Sequence, residues 1–304
     1  MRKVFDPDKI AGCLVGLATG DALGAPLEFL PRSIVRQRFP SGLKEMISSE
    51  NWGKGEYTDD TEMALLLAES LLNNNELIAT DIARRFRNWA RTAKDVGIQT
   101  RAVVGMPGYE GDPMRCARDY FIDHLESSAG NGAVMRCAPV ALFRLSSPER
   151  LESDSRSAAQ VTHWDSRAQT SCVIVNRWIH LSIRDGVRDA REIVLDHLPE
   201  NEQKYWERLE NIEQLPEESI KSSGYTVHTV EAAIWSFLTT SSFENALIRA
   251  VNLGDDADTV GAVTGAIAGA YYGYENIPKQ WRNDLLGESG IRQTALSLSA
   301  CEAH

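Results

Sequence analysis

Glycine recurs at every fourth position in two widely separated stretches of this chain, as Gly12, Gly16, Gly20 and Gly24 near the start and as Gly261, Gly265, Gly269 and Gly273 near the end. In an α-helix, residues four apart lie on one face, so each set strips a helix face of side chains. A glycine inside a helix costs about 0.8–1 kcal/mol relative to alanine. That cost is offset when a second backbone approaches the bare face, and the pattern predicts two tightly packed central helices. By themselves such stripes are equally the small-residue faces of ordinary helices, and their neighbours must decide.

The rest of the sequence scans with helical period. Thr61–Leu72 sets Met63, Leu66, Leu67 and Leu71 along one stripe, and Thr80–Ala93 repeats the pattern through Ile82, Ala83, Phe86 and Trp89. Further helices are expected over Met114–Leu125, Ala133–Leu145, Arg167–Ile183, Val227–Leu238, Phe243–Leu253 and Thr259–Tyr272. Alternating β-branched runs bounded by turn dipeptides are missing, so the fold class expected is all-α. No Gly/Ser-rich or Pro-rich linker divides residues 1–304, which reads as a single domain, and the polar stretch Pro199–Ser223 reads as a surface helix plus a loop. The longest uncharged run, Thr259–Tyr274, is shorter than the roughly 20 residues a bilayer demands, so no membrane association is expected. With net charge −11, a broad phosphate-tracking nucleic-acid surface is disfavoured as well. Five cysteines, Cys13, Cys116, Cys137, Cys172 and Cys301, include no CxxC pair and read as buried thiols in a reducing compartment. The N-terminal residues lack an apolar secretory core, and the cytoplasm is the expected location.

Two acidic clusters stand immediately before helices: Thr58-Asp59-Asp60-Thr61, and Asp255-Asp256-Ala257-Asp258-Thr259, the latter opening the second glycine helix. One aspartate at a helix start is bland, because it caps free amides and complements the helix dipole. Two or three exceed what capping needs. Packed together, Asp59, Asp60, Asp256 and Asp258 would repel unless cations neutralise them, and their four charges match two divalent ions. Carboxylates with the Thr58 and Thr259 hydroxyls make an oxygen set suited to two Mg²⁺ or Mn²⁺ ions. Separately, Gly130-Asn131-Gly132 offers unhindered amides before an expected helix, a way to hold a diphosphate or a ribose as well as a common turn. His163 reads either as a core histidine or as a donor to a phosphate oxygen.

The glycine helix ending Gly24-Ala25-Pro26-Leu27-Glu28-Phe29, the Tyr57–Thr61 segment, Gly130-Asn-Gly-Ala-Val-Met-Arg136, Thr162-His163 and Gly254-Asp-Asp-Ala-Asp-Thr259 succeed one another in this order. In this the chain resembles the ADP-ribosylglycohydrolases, the family of the dinitrogenase-reductase-activating glycohydrolase and the ADP-ribosylarginine hydrolases, from about Ile10 to Ala295. The resemblance implies an all-α fold, a dinuclear Mg²⁺ or Mn²⁺ centre held by Thr58, Asp59, Asp60, Asp256, Asp258 and Thr259, and ADP-ribose recognition in a cleft above it. It further implies that Glu28 approaches the metals and the distal ribose, that His163 contacts the ligand and that Tyr225 stacks on the adenine. The residues alone leave Glu28 open as a loop anchor and Tyr225 open as a helix-leading staple.

The activity implied is metal-dependent removal of ADP-ribose from protein side chains, with arginine the first choice of linkage. Asp59 or Asp60 would orient the water and accept its proton, and Glu28 would be the third catalytic residue. The partners implied are an ADP-ribosylated protein and the ADP-ribose product. The alternatives are hydrolysis of another ADP-ribose linkage, to serine, an acetyl ester or a nucleobase, and a non-catalytic ADP-ribose-binding protein. No GxxxxGK[ST], HExxH, GxSxG or GxGxxG motif supports a rival chemistry.

Overall fold

In the computed structural model, which describes residues 5–301, the two glycine stretches form antiparallel partners at the centre of the protein. The first glycine helix spans Pro7–Gly24, with Asp6 as its N-cap accepting from the Asp8 amide at 3.0 Å, and the second spans Ala257–Tyr272. Gly12 lies against Gly269, Gly16 against Gly265 and Gly20 against Gly261, so closely that a methyl group added to any of them would overlap the facing carbonyl. The stripes are therefore a backbone-to-backbone seam. Gly273 is the exception: it sits just past the helix end at φ +88°, and the Asp8 carboxylate fills the space where a side chain would stand.

Around this pair pack the Ser166–Asp185, Thr226–Leu238 and Phe243–Val251 helices on the second glycine helix and the Glu288–Ala300 helix on the first. Among the described residues there is no β-strand, only an isolated bridge between Gly130 and Tyr225. The first glycine helix is long and apolar enough to cross a bilayer, yet 94% of that stretch is buried inside the protein, where it forms the core.

Three expectations need correction. Ala133–Leu145 is broken into a 3₁₀ turn, Val134–Arg136, and a short helix, Ala138–Phe143, because Pro139 has no amide to continue a helical ladder and sits in the first turn instead. Pro199–Ser223 holds only a short helix, Glu200–Gln203, and 3₁₀ turns. Trp206, Leu209 and Ile212 from this stretch are buried, so it covers core. Of the cysteines, all free, four are buried and Cys301 is half-buried.

Candidate active site

The antiparallel seam sets the end of the first glycine helix beside the start of the second. Glu28, a few residues past Gly24, thereby meets Asp256 and Asp258, and a carboxylate oxygen of each lies within 4.8 Å of the others. Backbone bonds brace this meeting. Phe29 N donates to the Asp255 carbonyl at 2.6 Å and Asp255 N donates to the Leu30 carbonyl at 2.8 Å. Both Phe29 and Asp255 are held at positive φ, +59° and +54°, an arrangement that costs roughly 1–2 kcal/mol per residue and persists only where the surroundings enforce it. Glu28 is thus tied to the loop that carries Asp256.

The other acidic cluster is brought in by Asp21, a residue that no sequence motif singles out. Fully buried on the first glycine helix, it accepts from the Thr58 amide at 2.9 Å, the Thr61 amide at 3.0 Å and the Thr61 hydroxyl at 2.5 Å. These bonds seat the start of the Asp59–Asn74 helix against the glycine seam. Thr58 is that helix's N-cap, its hydroxyl accepting from the Asp60 amide at 3.4 Å. Asp59 Oδ2 accepts from the Gly97 amide at 3.2 Å, and Asp60 Oδ1 from the Thr259 hydroxyl at 3.3 Å. The signal for Asp21 in the sequence is that it is the one charge in an otherwise uncharged run from Ile10 to Leu27.

Burial, together with the neighbouring carboxylates, raises the pKa of Glu28, Asp59, Asp60, Asp256 and Asp258. Glu28 is pushed up to about 8, with Asp95 the strongest neighbour, and Asp59 to about 7. Asp60 and Asp258 are raised well above the ordinary carboxylate range, and the neighbouring charges acting on them are all carboxylates. Two oxygens, Asp60 Oδ2 and Asp258 Oδ1, are buried without a hydrogen-bond partner. An orphaned buried acceptor in an all-acid setting is costly unless a cation takes it. The residues present therefore fit a divalent-cation site.

Above the acids opens a cavity of about 500 Å³, a volume typical of small-molecule and cofactor sites. Glu28, Asp59, Asp60, Asp256, Asp258 and Thr259 line its floor, and Gly130, Asn131, Gly132 and His163 line a wall. Thr58 and Tyr225 are not among the lining residues. Thr58 sits behind the floor as a cap, and Tyr225 is next in the chain to the lining residue Gly224, with the Arg167 guanidinium 5.6 Å from its ring. The Phe29 and Tyr120 rings do line the cavity, and Tyr120 is stacked on His124 at 4.0 Å. Asp95 and Gln99 also line it, and neither is distinguishable in sequence from ordinary surface polar residues.

The Gly130–Gly132 wall differs from a loop of free amides at a helix start. Asn131 N donates to the Gly224 carbonyl at 3.0 Å, and the chain continues into only the 3₁₀ turn, Val134–Arg136. A side chain on Gly132 would run into the His163 ring. The Asn131 side chain ties the wall to the second cluster by donating to Asp256 Oδ2 at 2.6 Å, and it also donates to the Thr229 hydroxyl at 2.9 Å.

A family model described as ADP-ribosylglycohydrolase matches residues 2–303. The ADP-ribosylarginine hydrolase Tri1 of Serratia proteamaculans is 36% identical over 96% of this chain and 79% of its own length. The ADP-ribosyl-[dinitrogen reductase] glycohydrolase of Rhodospirillum rubrum is 33% identical over 96% of each chain. Among solved structures, an ADP-ribosylglycohydrolase-related protein complex superposes with a TM-score of 0.81 at 33% identity, covering 98% of this chain and 99% of that one.

Proposed function

We propose, from the premise that this chain belongs to the ADP-ribosylglycohydrolase family and is an enzyme of that class, that it hydrolyses the N-glycosidic bond joining ADP-ribose to an arginine side chain of a modified protein. The observation that carries this reading is the convergence, on the floor of one cavity, of two buried acid clusters whose free oxygens fit divalent cations. The similarity to an ADP-ribosylarginine hydrolase supports the choice of linkage.

Asp60, Asp256, Asp258 and Thr259, with Asp59 and Thr58 at the neighbouring helix start, are the residues we assign to two Mg²⁺ or Mn²⁺ ions, and Glu28 reaches the same group. When bound, such ions supply positive charge for the ribose hydroxyls and for activating the attacking water. Asp59 is the base we favour. Gly97 N–H holds one of its oxygens, and the carboxylate lines the cavity floor, where it can accept the water's proton. As the anomeric carbon gains oxocarbenium character, the substrate guanidinium, already cationic, takes the bond's electron pair and leaves as a neutral guanidine, which then recovers the proton the water gave to Asp59, so little prior acid catalysis is needed. Glu28 and Asp95, close enough for Asp95 to raise the pKa of Glu28, face that cation. Gly130, Asn131, Gly132 and His163 orient the diphosphate and ribose, and Tyr225, beside Gly224, is assigned to the adenine. The free buried thiols support a reducing, cytoplasmic setting.

The experiment is to incubate the purified chain with an ADP-ribosylated arginine peptide and Mg²⁺ or Mn²⁺ and to measure free ADP-ribose. Release is expected, and it should stop in excess EDTA. No release from arginine, or undiminished release without metal, would overturn the corresponding half of the proposal.

A further inference from the structure

Arg136 is buried in the 3₁₀ turn behind the Gly130–Gly132 wall. A guanidinium has no acceptor atom and stays charged, so the direction of each hydrogen bond it makes is known. Nη1 donates to the Gly132 carbonyl, Nη2 donates to the Thr162 hydroxyl at 2.6 Å, and the guanidinium lies over the Phe86 ring, 4.9 Å from its centroid. The same Thr162 hydroxyl stands 2.8 Å from His163 Nδ1.

That chain of contacts leaves one arrangement in which every group is satisfied. Thr162 Oγ1 has already accepted from Arg136 and carries a single proton. If His163 Nδ1 were also protonated, the hydroxyl would receive two donors and its own proton would have to find another acceptor inside the protein, a costly outcome for a buried group. With the hydroxyl donating to Nδ1, the ring's proton sits on Nε2. The ring is neutral, since burial, then the charge of Arg136, hold His163 well below the usual histidine range. Its Nε2 edge lies along the wall: a Cβ built on Gly130 would be 3.4 Å from Nε2, and one on Gly132 would be 3.2 Å from it. His163 lines the cavity.

We propose that Arg136 is a positioning residue that acts through Thr162 to fix His163 as the Nε2–H tautomer, so that this wall presents a neutral donor to an acceptor oxygen of the ligand. Arg136 thereby sets the polarity of an atom it does not touch. A phosphate or hydroxyl oxygen is received there, and a group that offers only donors is turned away.

Histidine-selective ¹⁵N labelling and long-range ¹H–¹⁵N correlation spectra of the ligand-free chain test this. In the wild type, His163 is expected to show a protonated Nε2 and a hydrogen-bonded, unprotonated Nδ1. Thr162→Val, close to isosteric, should move Nδ1 to the resonance of an unbonded nitrogen, and Thr162→Ser should restore it. Arg136→Met should mix the two tautomers, with both nitrogens shifted toward average positions. ADP-ribose should bind Thr162→Val about tenfold more weakly than Thr162→Ser. A wild-type proton on Nδ1, or an Nδ1 resonance unmoved in Thr162→Val, overturns the relay, and a folded Arg136→Met with wild-type resonances overturns the role of Arg136. If Arg136→Met does not fold, the Thr162 pair decides. The inference rests on the proposed function only for the ligand: a wild type with the Nε2–H tautomer that binds no ADP-ribose upholds the relay and counts against that function.

Discussion

The two acidic helix starts look alike in sequence and are built differently. At Thr58–Thr61 the threonine takes the capping duty, and the buried carboxylate of Asp21 collects the amides of Thr58 and Thr61, which leaves Asp59 and Asp60 free to face the cavity. At Asp255–Thr259 the residue in the cap position is Asp256, and its side chain makes no capping bond. It turns to Asn131 instead, while its backbone amide donates to the Ser222 carbonyl at 2.8 Å. One cluster is wired through a buried charge on the glycine seam and the other through neutral amides and a strained loop. A carboxylate at a helix start is available for chemistry only when it is spared the capping, which Thr58 and Asp21 arrange at the first helix and the turn of Asp256 toward Asn131 arranges at the second.

The largest expected effect comes from a residue that both clusters need. Asp258→Asn should lower turnover about a thousandfold or more, with loss of bound metal, because it removes charge where Asp60 and Asp258 already repel each other in the absence of a cation. Calorimetric metal titration beside the activity assay would check it, and retention of both would remove the metal from the account.

The difference in wiring can be broken directly. Asp21→Asn takes away the charge that anchors the first cluster and should weaken metal binding by roughly 10- to 100-fold, as loss of a residue that orients ligands does. Asn131→Ala removes one neutral donor from Asp256 and should cost about tenfold at most. Equal losses in the two variants would mean that the distinction between charged and neutral wiring has no energetic content.

A smaller effect appears in stability against pH. Unfolded, these acids titrate near 4; in the metal-free fold Asp21 is raised to about 6, Asp59 to about 7 and Glu28 to about 8. Between about pH 4 and 8 the folded chain therefore holds more protons than the unfolded one, and stability from these groups declines as pH rises through that window. In EDTA, the wild type should gain a few degrees of melting temperature relative to Asp59→Asn on going from pH 8 to pH 5.5. Saturating Mn²⁺ should abolish the gain. A wild type that loses ground to the variant at pH 5.5 would show that these acids are already ionised in the metal-free fold.

The seam and both clusters are legible in sequence because each leaves a periodic or local mark: glycine every fourth residue, and aspartates crowded at helix starts. Asp21 escapes such a reading because it lies far along the chain from the residues it holds, and a lone acid in an apolar helix gives no hint of its partner. Gly130-Asn131-Gly132 has the local look of free amides, while the space at Gly132 belongs to the His163 ring and the Asn131 amide to Gly224. Those are long-range contacts that no local rule encodes. The break at Pro139 is visible in sequence, but the apolar periodicity around it points the other way.

The smallest effect concerns which linkage is preferred. Asp95 lies near the first cluster, two residues before the Gly97 amide that holds Asp59, and Glu28 lies against the second. Both line the cavity on the side assigned to the leaving group. A carboxylate about 6 Å from a guanidinium in a water-like medium is worth about 0.7 kcal/mol, or roughly threefold in rate. Asp95→Asn and Glu28→Gln should therefore each lower the arginine-to-serine ratio of release by about threefold, whatever they do to the absolute rates. Salt screens charges beyond roughly 8 Å at physiological ionic strength, so raising it should trim the ratio less than either substitution does. The measurement is release from arginine-linked and serine-linked peptides of the same flanking sequence, at fixed Mg²⁺ and varied ionic strength. If only one variant moves the ratio, the leaving group faces one cluster and the division between them extends to specificity. If the wild type releases ADP-ribose faster from serine, charge complementarity does not choose the linkage, and the cavity's selectivity must come from its shape.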